Sequence, residues 1–357
     1  MAPREFADAK HYRPAEVSEQ RGVRLPMRFT EIAEEYRHAR ESAGLIERGD
    51  RALVRVDGKD RYSWLHNLVT NEVKKLEDDR GVYAFAIDVR GRVQLDMNIL
   101  SFDGALWLDL DTALVDAALR HLNRFLISED VQLATSPAPL ARLAIAGPKS
   151  TQVAQQVAGI ALSALPELGS APIARSADVG SSGFPARLLR HDFAGVGGFE
   201  LIVPREQAPI WWDRLAEIDG VRPIGQSALD VLRIEAGIPW MGRDIDDKTV
   251  PPEAGQVARS ISYQKGCYLG QEIIERMRSH GSLSRRLVRV ACDAGEGLAV
   301  PTPLRSGAQE VGRVTSLVRH PLRDEWIGLG YLRTTHKPPL DLTAGEPPRT
   351  VRVEELP

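Results

Sequence analysis

A chain of 357 residues holds enough sequence for two or three hydrophobic cores and too much for one ordinary core. Its 43% hydrophobic and 27% charged residues match globular proteins and exclude disordered, collagen-like and membrane-embedded classes. A net charge of −3 gives no global pull on nucleic acid or an anionic membrane, and two cysteines, Cys267 and Cys292, are too few for a disulfide framework or a four-thiolate metal site, so a reducing compartment is expected.

Residues 1–29 mix charges with prolines, lack the apolar stretch of a signal peptide and read as an irregular arm on the surface. No window approaches the roughly 20 apolar residues of a membrane span, so a cytoplasmic protein without membrane contact is expected. The first periodic element starts at Thr30, a residue suited to an N-cap, and carries Ile32, Ala33, Tyr36, Ala39 and Ala43 on one helical face before Gly44. Residues 53–56 read as a strand. Asp60 then caps a helix with Trp64, Leu65, Leu68 and Val69 at helical spacing, ended by Asn71. A hairpin follows, its strands 83–87 and 93–100 flanking Asp88-Val-Arg-Gly91. In the second strand Val93, Leu95, Met97 and Ile99 share one face, and Gln94, Asp96 and Asn98 the other.

A strand over 106–110 leads into a helix over 111–125, after which Pro137 and Pro139 punctuate the chain. Strand 140–146, helix 148–157, strands near 186–191 and 199–203, and helix 204–218 echo the earlier order, a loose internal duplication of αβ halves. Helix 227–236 closes that half. After Ser282 the pattern turns to short β runs at 287–291, 310–318, 326–331 and 351–353, which read as a small β-barrel. The expected fold is α+β: an arm over 1–29, a first αβ domain over 30–139, a second over 140–281 and a C-terminal β-barrel over 282–357.

Cys267 follows Lys265 and Gly266 and precedes a short helix expected over 271–276. A cation and a helix N-terminus both stabilise a thiolate, so this cysteine suits a nucleophile, a redox sensor or a temporary iron ligand; the bland alternative is an inert buried thiol. Cys292, in a strand-like run, reads as the inert kind. Asp96 points either into a polar cleft or to solvent. Glu200, after Gly-Val-Gly-Gly-Phe199, offers a carboxylate that accepts two parallel N–H donors, as a pterin edge presents, or else pairs with a basic neighbour. Arg233, on a mostly apolar helix, reaches a ligand carboxylate at a pocket rim or pairs with Glu235 or another acid. Arg276, Arg278, His280, Arg285 and Arg286 form a basic cluster suited to phosphate or polyglutamate, or a solvated face. The cluster lacks stacking aromatics, which argues against single-stranded nucleic acid. The glycines at 195–198 lack the Lys-Ser/Thr of a phosphate loop and lead into a strand, which excludes an NTPase of that type. No His or paired-Cys spacing supports a permanently bound metal.

The segment Lys265-Gly-Cys-Tyr-Leu-Gly-Gln-Glu272, followed by Arg276, Gly281 and Arg285-Arg286, resembles the signature of the YgfZ family of folate-dependent iron–sulfur cluster maintenance proteins. From about residue 30 onward the chain is similar to the wider superfamily that includes the T protein of the glycine cleavage system, an aminomethyltransferase. The similarity rests on Ala43-Gly-Leu-Ile46, Leu68-Val-Thr-Asn71, Gly81-Val-Tyr-Ala84, Gly197-Gly-Phe-Glu200, Leu232-Arg-Ile-Glu-Ala-Gly237, Pro252-Glu-Ala-Gly255 and Val311-Gly-Arg-Val-Thr-Ser316. The resemblance implies two αβ domains and a β-barrel around a folate cavity, with Glu200 on the pterin, Arg233 nearby, and Tyr83 and Asp96 facing the folate. It also implies tetrahydrofolate or a one-carbon-substituted form as cofactor, and iron–sulfur client or assembly proteins as partners. Cys267, flanked by Lys265, is then the reactive residue, with Asp96 a second catalytic candidate. Two departures from the transferase pattern stand out: Leu95-Asp96 replaces a pair of acids, and the Tyr-Thr-Gly-Glu-Asp run is missing before Glu200. The expected function is a tetrahydrofolate-binding factor that supports iron–sulfur cluster assembly or repair, the alternative being aminomethyl transfer to tetrahydrofolate.

Overall fold

The computed structural model describes residues 6, 8–135, 140–173, 184–281, 283–293, 295 and 297–357. Pro137, Pro139, Ser282 and the side chain of His280 lie outside the described residues. The chain divides into two compact units. The first holds the chain up to His66, Glu72–Tyr83 and Met97–Leu229; the second holds Asn67–Asn71, Ala84–Asp96 and Asp230–Pro357.

In chain order the first part of the fold runs β1 (Glu16–Gln20), β2 (Val23–Arg28), α1 (Ile32–Glu41), β3 (Ala43–Glu47), β4 (Arg51–Asp57) and α2 (Arg61–His66). Then come β5 (Arg80–Ile87), β6 (Val93–Phe102), β7 (Ala105–Asp111), α3 (Val115–Asn123) and β8 (Gln132–Thr135). The next stretch contributes β9 (Leu140–Ala146), α4 (Ser150–Ala158), β10 (Ser170–Pro172), β11 (Arg187–Arg190), β12 (Gly198–Pro204), α5 (Ala208–Ala216), β13 (Val221–Pro223) and α6 (Gln226–Glu235). The strands form a five-stranded sheet of order β5-β6-β7-β4-β8 and a six-stranded sheet of order β10-β11-β12-β9-β3-β13. Strand β3 comes from the segment expected in the first αβ domain, yet it pairs antiparallel with β9 and parallel with β13, so this sheet draws strands from both sides of residue 139. All five β3 residues are buried. A strand covered on both faces shows no alternation, which is why Ala43 reads as the tail of the preceding helix.

Two local expectations give way to tertiary pairing. The N-terminal segment is not an irregular surface arm: β1 and β2 pair as an antiparallel hairpin, and Phe6, Ala9 and Tyr12 are buried in the core under the six-stranded sheet. Tyr12 stacks on Phe6 at 5.0 Å and meets the edge of Trp212 at 5.0 Å, a partner 200 positions away that no local pattern reveals. Helix α2 ends at His66 and not at Asn71, because Val69 bridges to Ala86 and the Thr70 amide donates to the Phe85 carbonyl at 2.9 Å.

The second unit contains α7 (Val257–Ser260), α8 (Gln271–His280) and the strands β14 (Arg285–Asp293), β15 (Thr302–Ser306), β16 (Gln309–Arg319), β17 (Glu325–Arg333), β18 (Leu340–Ala344) and β19 (Arg349–Glu354). These six strands close into a barrel of order β14-β17-β16-β15-β18-β19, as the short β runs predict. Val288, Val290, Leu304, Val314, Leu332, Val351 and Val353 are among the side chains of its core, and closure joins β14 to β19. Among the described residues no helix is long and apolar enough to cross a membrane.

Candidate functional site

The first unit carries a chain of buried charges around Glu200. This residue sits on β12 opposite Ala144 and Leu189 and has no exposed surface. Its Oε2 accepts from Arg142 Nη2 at 2.6 Å, its Oε1 accepts from His191 Nδ1 at 2.6 Å, and Arg48 Nη1 stands 3.9 Å from Oε1. Arg142 Nη1 donates onward to Asp109 of β7, which also accepts from Arg51 Nε at 3.0 Å and Asn98 Nδ2 at 2.8 Å. Alternating signs thus run from one sheet of the first unit to the other. Burial by itself pushes both acids up. For Glu200 the charges of Arg142 and Arg48 and the His191 hydrogen bond outweigh it and keep the carboxyl well below its usual range; Arg142 and Arg51 lower Asp109. Glu200 therefore takes the salt-bridge role that its sequence leaves open, with both oxygens engaged. Arg142, Asp109, Arg48 and His191 are absent from the sequence-based site. A charged residue inside an apolar strand, as in Leu-Ala-Arg142-Leu-Ala or Leu-Trp-Leu-Asp109-Leu, is the signal that points to them.

Arg233, in the second unit, is fully buried on α6 and equally committed. Its Nε donates to Asp230 at 2.8 Å, Nη1 to Asp244 at 2.7 Å and Nη2 to Ser316 Oγ at 3.1 Å, while the guanidinium lies 4.5 Å from the Trp240 ring centre. Asp244 also accepts from Thr315 and Ser316 hydroxyls at 2.6 and 2.7 Å, so the arginine fastens α6 to barrel strand β16. Glu235 is not its partner and instead meets His320 at 3.2 Å and Arg323 at 2.9 Å. Tyr83 on β5 and Asp96 on β6 are both buried, so the solvated reading of Asp96 does not hold. The arginines of the expected basic cluster pair with acids: Arg276 with Glu272, Arg278 with Glu275, Arg285 with Glu253 and Arg286 with Glu355.

The segment carrying Cys267 is stitched to residues 67–71 of the same unit. Lys265 Nζ donates to the carbonyls of Val69 at 2.6 Å and Asn71 at 2.9 Å, Ser262 N to Thr70 O at 3.0 Å, and Leu269 N to Asn67 O at 3.0 Å. The lysine is buried and its ammonium serves these backbone contacts. Cys267 is exposed, between this stitching and the start of α8. Cys292 lies buried in β14, where desolvation pushes its thiol up. Among the described residues no three His, Cys, Asp or Glu side chains are grouped to hold a metal ion.

A family profile described as the GCVT N-terminal domain matches residues 6–265. A protein named aminomethyltransferase from Symbiobacterium thermophilum is 30% identical over 329 residues, which cover 88% of this chain and 85% of that protein. Another of the same name, from Thermoanaerobacter, is 26% identical over 319 residues, covering 87% and 84%. The crystal structure of glycine cleavage system aminomethyltransferase T from Bartonella henselae superposes with a TM-score of 0.82 over 96% of this chain and 94% of that one, at 20% identity, and so shares the fold. On this evidence the chain belongs to the GCVT N-terminal domain family.

Proposed function

We propose that this protein binds tetrahydrofolate or a one-carbon-substituted form of it and uses Cys267 as a functional thiol in support of iron–sulfur cluster assembly or repair. The observation that carries the thiol reading is the exposure of Cys267 in a segment pinned on both sides, next to a sequence run that resembles the YgfZ signature. A cluster usually takes four ligands, so one thiol acts on it only with ligands from a partner or a small thiol. Folate binding is supported by family membership. Glu200 and Arg233 do not fit direct contact with a pterin in this chain, because their hydrogen-bonding atoms are already engaged with Arg142, His191, Asp230, Asp244 and Ser316. Their part is to hold the surrounding walls. Tyr83 and Asp96 remain the proposed folate-facing residues.

Aminomethyl transfer to tetrahydrofolate is the second reading, and the names of the relatives along 87% or more of the chain favour it over the first. Two assays separate them. Wild type, but not Cys267→Ser, is expected to restore iron–sulfur enzyme activities in a strain lacking its YgfZ-type factor. Folate-dependent ammonia release from an aminomethylated lipoyl carrier is expected to be negligible. Sustained release that Asp96→Asn abolishes, together with full rescue by the serine variant, would replace the first reading with the second.

A further inference from the structure

The hairpin tip between β5 and β6 belongs to the same compact unit as the Cys267 segment and packs directly on it. At Gly270, where φ is +77°, an added Cβ would collide with the carbonyl oxygen of Asp88; at Gly91, where φ is +74°, it would come within 2.9 Å of Ile273 Cγ2. The tip is internally rigid. Asp88 Oδ1 accepts from the amides of Arg90 at 2.8 Å and Arg92 at 2.9 Å, Gly91 N donates to Asp88 O at 2.9 Å, and Val93 N donates to Thr249 O at 2.8 Å.

This rigid turn displays an apolar side chain beside two cations. Val89 is 71% exposed, the largest exposure but one among the described large hydrophobics, and Arg90 and Arg92 are exposed on either side of Gly91. The Asp88 carboxylate is turned inward on backbone amides. On the neighbouring helix α8, Glu272 and Glu275 are matched by Arg276 and Arg278. Among the described residues no carboxylate lies within ion-pair distance of Arg90 or Arg92, and these two cations outnumber Asp88, the carboxylate of the turn, so the tip is net positive on a protein whose overall charge is −3. Cys267 lies three residues from the Gly270 contact, a reach of at most about 11 Å along the chain. A preformed apolar and cationic knob loses little conformational freedom on docking.

The geometry points to the turn 88–92 and the loop 264–269 as one docking surface for a partner protein, which presents an acidic segment with an apolar side chain beside its carboxylates and thereby brings its reacting group to Cys267. The part that concerns Cys267 rests on the thiol reading above; the docking surface does not. The test uses the full chain and two fluorescein-labelled peptides, one of Glu, Asp and Leu, the other of Lys and Leu. By anisotropy at low salt the acidic peptide is expected to bind roughly tenfold tighter than the basic one, with the preference fading at high salt and lost in Arg90→Glu/Arg92→Glu and in Val89→Asp. Reversal of a distant barrel arginine, Arg305→Glu, is expected to leave it intact. Equal binding of the two peptides, or a preference that the tip variants leave unchanged, overturns the proposal. The same peptides, each ending in a cysteine disulfide-bonded to thionitrobenzoate, report on the thiol. The Cys267 thiolate attacks the peptide sulfur, forms the mixed disulfide and releases one thionitrobenzoate, faster for the acidic peptide. Preferential binding without that faster release keeps the docking surface and removes the thiol reading.

Discussion

At Glu200 a negative charge is held inside the protein by cations that share its burial, and the energetics of such a site are asymmetric. Removing one partner leaves the others charged and dry, which costs about 3–5 kcal/mol. Glu200→Ala is therefore expected to lower unfolding free energy by that amount in urea titrations, with Arg142→Ala similarly damaging. A variant that kept full stability and lost only folate affinity would show that the carboxylate faces a ligand. Because Glu200 and Asp109 titrate below their usual range, their stabilisation is present at neutral pH and is lost as pH falls through their folded values. Cys267 stands at the other extreme. Being exposed, it should react with iodoacetamide well before Cys292, which peptide mass spectrometry over time resolves, and Cys267→Ser should leave the unfolding midpoint unchanged.

At the scale of elements, the N-terminal segment and the hairpin tip are each secured by a feature specific to its packing. The Tyr12 hydroxyl donates to Glu47 of β3, and burial, with Asp50 adding repulsion, pushes the Glu47 carboxyl up to about 8. A raised acid of this kind favours the folded state below the unfolded value of 4.5, and the benefit declines as pH rises towards 8. Stability of wild type relative to Glu47→Gln is thus expected to fall across that window, on the order of 1 kcal/mol per pH unit. Parallel pH dependence of the two proteins would show that Glu47 is already ionised. Deletion through Tyr12 should cost several kcal/mol, since it withdraws Phe6 and Tyr12 from the core, whereas loss of a surface arm would cost nothing measurable. Gly270→Ala should destabilise the chain by more than about 1 kcal/mol, because a left-handed backbone and a collision with the Asp88 carbonyl act together.

For the molecule as a whole, likeness to aminomethyltransferases extends along nearly the full length. The shared architecture accounts for the two sheets and the barrel. It does not decide the chemistry, because a fold hosts many sites and the two charged residues carried over from the family are occupied by their own neighbours here. The paired rescue and ammonia-release assays therefore weigh more than any further structural likeness.

The hairpin, the helices at 111–125 and 204–218, the barrel strands and the helix at 271–276 are legible in the sequence, because period and turn residues are local properties of the chain. Strand β3, the end of α2 and the burial of Phe6 and Tyr12 are not, since each depends on a partner supplied from far along the chain. The site divides in the same way. Residue type singled out Cys267, Glu200 and Arg233 as chemically notable. Only packing decided that the thiol faces solvent while the carboxylate and the guanidinium are spent on Arg142, His191, Asp230 and Asp244, because burial and the direction of a hydrogen bond are set by what folds against a side chain and not by the side chain itself.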